Sequence, residues 1–295
     1  MQVPFDKNPL TIDEQIALLK KRGLLFSDEN RARLYLEHIS YYHFTPYFKA
    51  IQDADNKFNT DSDFEDVLQL YMFDKGLRLL LLDVLERIEM SFKCKLVYYL
   101  SLSCGSDWLS DAACFASSKR HKEATDDIMN NLKNSKDQYI RDFYIKHGEV
   151  DCPPAWMVIE SLSFGQCVHI YANLNKANQK RVSKSYEINH FILGKWMRSL
   201  SVLRNICAHH SRLWNRSFHR EVNKSRGTFS SLFQGVELNS LFAYIIPLMF
   251  FLYKMNPESE WLNKLKDLII FRSVDTNKMG FPNDWKDRLE KFKLR

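Results

Sequence analysis

At 295 residues, with 45% hydrophobic and 26% charged side chains, the chain has the balance of a globular protein with a large core, which excludes a disordered or fibrous one. Nine glycines and eight prolines are too few for a turn-rich sandwich and favour helices joined by short connections. A net charge of +6, from 42 basic and 36 acidic residues, admits a phosphate-bearing partner without requiring one.

The start, MQVPFDKNPLTIDEQIALL, has no basic stretch leading into an apolar one, so secretion is not expected. The six cysteines form no CxxC pair, which predicts reduced thiols, a cytoplasmic setting and no zinc knuckle. Thr11 followed by Glu14 is a capping-box signature, Ile12, Ile16 and Leu19 repeat at helical spacing, and Gly23 closes this first helix. Ser27 is read as the cap of a second helix. It carries Leu34, Leu36 and Ile39 into Tyr41-Tyr42-His43-Phe44, and Pro46 limits its continuation. For Tyr41, Tyr42 and Phe44, packing against the main bundle is preferred over stacking on nucleic-acid bases.

Residues 53–63 read as a polar loop. A periodic segment over 64–102 then predicts two helices, or one kinked near Gly76. Glu86 and Glu89 lie three apart beside Arg87 and read as structural ion-pair partners rather than metal ligands; Glu160 is a candidate support for a nearby basic residue. Pro153-Pro154 opens a helix that Gly165 ends, and 173–184 is a basic loop or short helix. A long helix is expected at about 192–216, followed by a flexible-looking stretch at 223–228. The apolar run at 238–253 is too short to span a bilayer and contains Pro247, so it reads as a buried helix. With a further helix at 261–271, no internal repeat and no β-alternation, the expectation is an all-α protein: a small N-terminal element (1–60), a helical core (61–220) and a C-terminal extension (221–295).

Chemistry concentrates late in the chain. Between residues 176 and 226 there are twelve Lys and Arg against two Glu. On a helical projection of 192–216, Trp196, Leu200, Leu203, Cys207, His210 and Trp214 share an apolar side, which predicts a buried, hydrogen-bonded His210. Asn205, His209, Arg212 and Arg216 form a line on nearly the opposite side, as a phosphate-binding surface requires. Arg204 and His209 are five residues and about 140° apart, so they do not naturally converge within one chain despite arginine's long stem. They converge easily if two such helices meet across a two-fold axis or in an intramolecular equivalent, of which the chain holds no second copy. A homodimer with a composite site is therefore expected.

The string RNICAHHSRLWNR, from Arg204 to Arg216, resembles the signature of the abortive-infection (Abi) family of bacterial phage-resistance proteins. Its arginine and histidine match the motif of the HEPN ribonuclease superfamily. LTIDEQIALLKKRGLLFSD, YLEHISYYHFTPY, YMFDKGLRLLLLDVLERIEMSFK and PPAWMVIESLSFG resemble further family segments in order, over roughly residues 10 to 220; His43 and Pro46 depart from the usual arginine and glycine of the second. The resemblance implies a HEPN-like helical bundle with additional N-terminal and C-terminal helices. It also implies a cytoplasmic protein that arrests growth after phage infection by cleaving RNA, with an antitoxin protein or small RNA as a possible partner.

In that reading His209 transfers protons, Arg204 holds the scissile phosphate, and Asn205 orients His209. Arg212, Arg216, His210, Lys195 and Arg198 are candidate RNA contacts. No cofactor and no metal are expected. Two other readings use the same residues: an RNA-binding module without catalysis, and a basic surface for an acidic protein.

Overall fold

Thr11 accepts the Glu14 N–H at 3.3 Å while the Glu14 carboxylate accepts the Thr11 N–H at 2.7 Å, and this capping box starts α1 (Ile12–Lys21). Asp28, not Ser27, caps α2 (Glu29–Ile39). Ser27 instead donates its N–H and hydroxyl to Asp63, at 2.8 and 3.1 Å. Ser40, at φ 67°, turns the chain into α3 (Tyr41–Phe48), which holds Pro46 inside it rather than stopping before it.

The computed structural model describes residues 8–148, 152–225 and 229–293. Residues 1–7 of the start, and 226–228 of the stretch expected to be flexible, lie outside the described residues. Within them the chain is all-α, with thirteen α-helices and only isolated β-bridges. No described helix is long and apolar enough to cross a membrane.

The spine is α4 (Phe64–Cys104), one continuous helix of 41 residues where two had also been expected. Asp63 and Asp66 form its capping box, and Leu77, Leu81, Leu85, Ile88, Phe92, Leu96 and Leu100 are all buried along it. Gly76 marks no helix end. A Cβ there would lie 3.1 Å from Leu268 of α12 (Trp261–Arg272), so the glycine lets that helix pack close. Packed on α4 are α7 (Ala155–Ser161), α8 (Phe164–Asn173), α9 (Lys176–Lys184), α10 (His190–Ala208), α11 (Leu241–Met255) and α12, while α5 (Ser118–Leu132) packs on α8 and α6 (Gln138–His147) on α7; α13 (Trp285–Glu290) follows α12 in the chain. Gly165 lies in the first turn of α8 and does not terminate α7, because Ser163 and Gln166 build a capping box at that point. The basic stretch before α10 is a helix, α9, capped by Asn175.

Every residue of α11 from Leu241 to Tyr253, Pro247 included, is buried. It packs with α10 against α4. A helix apolar on all sides belongs in a core of this kind. The buried apolar residues fall into two clusters. A small one runs from Ile16 to Leu68 over α1–α3 and the first turn of α4, a large one from Phe73 to Phe292, and Leu70 packs against both.

Candidate active site

The helix carrying the basic constellation ends eight residues earlier than its pattern predicts. α10 stops at Ala208, with His209 as its C-cap and His210 in the left-handed region at φ 55°. The His210 N–H bonds to the Cys207 carbonyl at 3.1 Å and the Ser211 N–H to the Ile206 carbonyl at 3.0 Å. That pair of bonds is a Schellman closure, with histidine in the place where glycine is usual. The two-line helical projection therefore holds only to His209. Arg212, Trp214 and Arg216 lie on a non-helical segment that runs back across α3 and α4.

Asp74 on α4 holds that segment. Its fully buried carboxylate accepts the N–H of Leu213 at 3.0 Å and of Trp214 at 2.7 Å, the Tyr47 hydroxyl at 2.8 Å, and the Arg78 guanidinium at 2.6 Å. Burial pushes the Asp74 carboxyl up from its ordinary range, and the four donors pull it back. With the N–H groups of Leu213 and Trp214 engaged by a side chain, the chain beyond His210 has no helical ladder to continue. Sequence reasoning missed Asp74. The available signal was its i,i+4 spacing to Arg78.

Arg204 is three-quarters buried on α10, and its Nε lies 3.4 Å from the Glu89 carboxylate of α4; this is a charge contact rather than an aligned hydrogen bond. Glu89 also meets Lys93 at 3.4 Å, so it is an ion-pair residue, while Glu86 and Glu160 are exposed. His209 is exposed and its backbone N–H bonds to the Asn205 carbonyl at 2.9 Å. The Asn205 side chain is exposed and makes no hydrogen bond to His209 among the described residues. Within one chain Arg204 leans onto α4 and His209 opens to solvent, and no hydrogen bond joins them among the described residues.

His210 is exposed, not buried: the helix closure turns it off the apolar side and to within electrostatic range of His43 on α3. Burial and the nearby charges of Arg78 and His210 hold the His43 ring below the ordinary histidine value. Arg212 is half-buried and donates to the Pro46 carbonyl at 3.3 Å, and Arg216 donates to the Arg212 carbonyl at 3.0 Å. Lys195 sits over the Phe191 ring at 5.2 Å. At 1.5 Å per residue, Lys195 and Arg198 are about 21 and 16 Å back along the helix from His209, so they do not share its immediate site. Cys207 is buried and its thiol is pushed up to about 12, chiefly by burial. No group of three or more His, Cys, Asp or Glu among the described residues could hold a metal ion.

Residues 34–215 match the family model described as Abi-like protein. The chain belongs to this family. The match covers well over half of the sequence and takes in α3, α4, α10 and the segment held by Asp74. No curated protein and no solved structure matches the chain. Membership in the Abi-like family thus embraces both halves of the Asp74 clamp and the Arg204–His209 stretch, whereas α11 to α13 lie beyond the matched residues.

Proposed function

We propose that this Abi-like protein is a metal-independent endoribonuclease of HEPN type, acting as a growth-arresting toxin in abortive-infection phage defence. The observation that carries the reading is that His209 stands exposed at the closed end of α10, five residues after an Arg204 that is held by Glu89, in a chain of the Abi-like family.

A histidine exchanges protons near neutral pH, and an arginine stays charged while presenting planar donors to phosphate oxygens. In the proposed reaction the 2′-hydroxyl gives up its proton and attacks the adjacent phosphorus, the bond to the 5′-oxygen breaks, and that oxygen takes up a proton in return, so no net proton is gained or lost. The products are a 2′,3′-cyclic phosphate and a 5′-hydroxyl. His209 serves in proton transfer, Arg204 stabilises the charge on the phosphorane, and Glu89 positions Arg204. Because Arg204 and His209 diverge within one chain, the reading includes a homodimer in which an Arg204 and a His209 from different copies face one phosphate. The site is placed in the cytoplasm, where an antitoxin protein or small RNA would restrain it.

Single-stranded RNA incubated with the purified protein in EDTA tests this. Cleavage to cyclic-phosphate ends, lost in His209→Ala and absent with DNA, is the expected result. Equal cleavage by His209→Ala, or none by the wild type, overturns it. A second reading, RNA binding without catalysis, is favoured by the Arg204–Glu89 contact, since a guanidinium already facing a carboxylate is less open to a phosphate.

A further inference from the structure

The tyrosine-rich segment divides sharply in the fold. Tyr41 accepts a hydrogen bond from Arg22 at 3.0 Å, Phe44 is fully buried, and Tyr42 between them is 85% exposed. Tyr42 stands on the rim of a groove of about 460 Å³, between α3 and the segment held by Asp74, whose lining includes Lys49, Arg212 and Asn215. Its volume is in the range of small-ligand sites.

The cation in this groove lacks an anion. The Arg212 side chain is half-buried, yet its hydrogen bond goes to a neutral acceptor, the Pro46 carbonyl, and no described carboxylate lies within ion-pair distance. Asp74, the carboxylate whose charge acts on it, is already engaged by Arg78, Tyr47 and two backbone N–H groups. Burial correspondingly pulls the Arg212 guanidinium below its ordinary value. A half-buried cation with unused donors is stabilised by an incoming phosphate, and a guanidinium fits one through two parallel bonds. Lys49, exposed at the end of α3, adds a second positive charge on the same rim. Arg212 follows His209 by three residues, a separation of at most about 11 Å along the chain.

We propose that this groove holds one nucleotide of a single-stranded RNA next to the His209 site, with the base stacked on Tyr42 and a phosphate against Arg212 and Lys49. The proposal rests on the ribonuclease reading and gives that reading a substrate-holding face. Base stacking on an aromatic ring tolerates any base, so the groove contributes affinity rather than sequence preference.

Anisotropy of a labelled ten-nucleotide 2′-O-methyl RNA, which the proposed reaction cannot cut, measures binding to the full-length protein. Tyr42 and Lys49 are both exposed, so their replacement leaves the fold intact. Tyr42→Ala is expected to weaken binding roughly ten-fold while Tyr42→Phe retains it. Lys49→Gln is expected to lower the salt slope by about one. If Tyr42→Ala and Lys49→Gln bind like the wild type while unmodified RNA is still cut, the subsite is wrong and the ribonuclease reading stands. If the wild type neither binds nor cuts RNA, both fall.

Discussion

Asp74 accepts the Trp214 N–H at 2.7 Å across 140 positions of chain, and the same carboxylate meets Arg78 one helical turn away at 2.6 Å. α4 thereby anchors the strand of residues that leaves the candidate site, and Tyr47 brings α3 to the same point. Removing the carboxylate leaves a buried guanidinium and two backbone N–H groups unpaired. Asp74→Ala is expected to destabilise the protein by about 3–5 kcal/mol. Urea unfolding measures this, with Asp83→Ala as the control: Asp83 and its partner Arg87 are both about half-exposed, and its loss is expected to cost under about 1 kcal/mol.

The closure of α10 makes a second prediction. His210 occupies the left-handed region at φ 55°, which costs a residue with a Cβ roughly 1–2 kcal/mol and glycine almost nothing. His210→Gly is expected to raise the unfolding free energy by about 1 kcal/mol, and His210→Val, with its branched side chain, to lower it. A lower thermal midpoint for His210→Gly would show that the ring supplies a contact worth more than the backbone strain.

The limits of the sequence show at this turn. α1, α11 and the start of α4 were readable because capping residues and apolar periodicity act within a few residues of one another, whereas the continuity of α4 through Gly76 depends on the packing of α12 against it. The end of α10 was not readable: no glycine or proline marks it, the stop is a histidine in a left-handed conformation, and what fixes the following residues is a carboxylate 139 positions earlier. Once the helix ends at Ala208, His210 changes from buried to exposed, and Arg212 leaves the line of His209 for a groove against α3. The placement of Arg204 on α10 and of His209 at its end was legible, since both lie at or before the cap. The ion-pair reading of Glu89 was legible as well, although its partners are Lys93 and Arg204 and not the adjacent Arg87.

Stability should also depend on pH through His43. Its ring is held below the ordinary value of 6.5 by burial and by the charges of Arg78 and His210, so the folded protein favours the neutral form. On acidification the unfolded chain takes up this proton first. The contribution is therefore intact above pH 6.5 and is lost progressively as pH falls below it toward the folded value. Urea midpoints between pH 7.5 and 5 are expected to decline through this window, and His43→Gln is expected to decline less. Parallel curves for the two proteins would assign the pH dependence to other groups.

The divergence of Arg204 and His209 makes the sharpest prediction about the reaction. The two residues are separated by about 140° around α10 and its cap, with Arg204 against Glu89 and His209 facing solvent, so the proposed catalytic pair is expected to form between copies of the chain. Arg204→Ala and His209→Ala are each expected to be inactive alone. Mixed and refolded together, they form heterodimers in which the Arg204 of one copy still faces the His209 of the other. With random pairing, about half of the dimers are mixed and each has one of two pairs intact, so roughly a quarter of wild-type cleavage should return. A pair acting within one chain gives no recovery, because neither variant carries both groups, and that outcome would place the two side chains in a rearranged single-chain site instead.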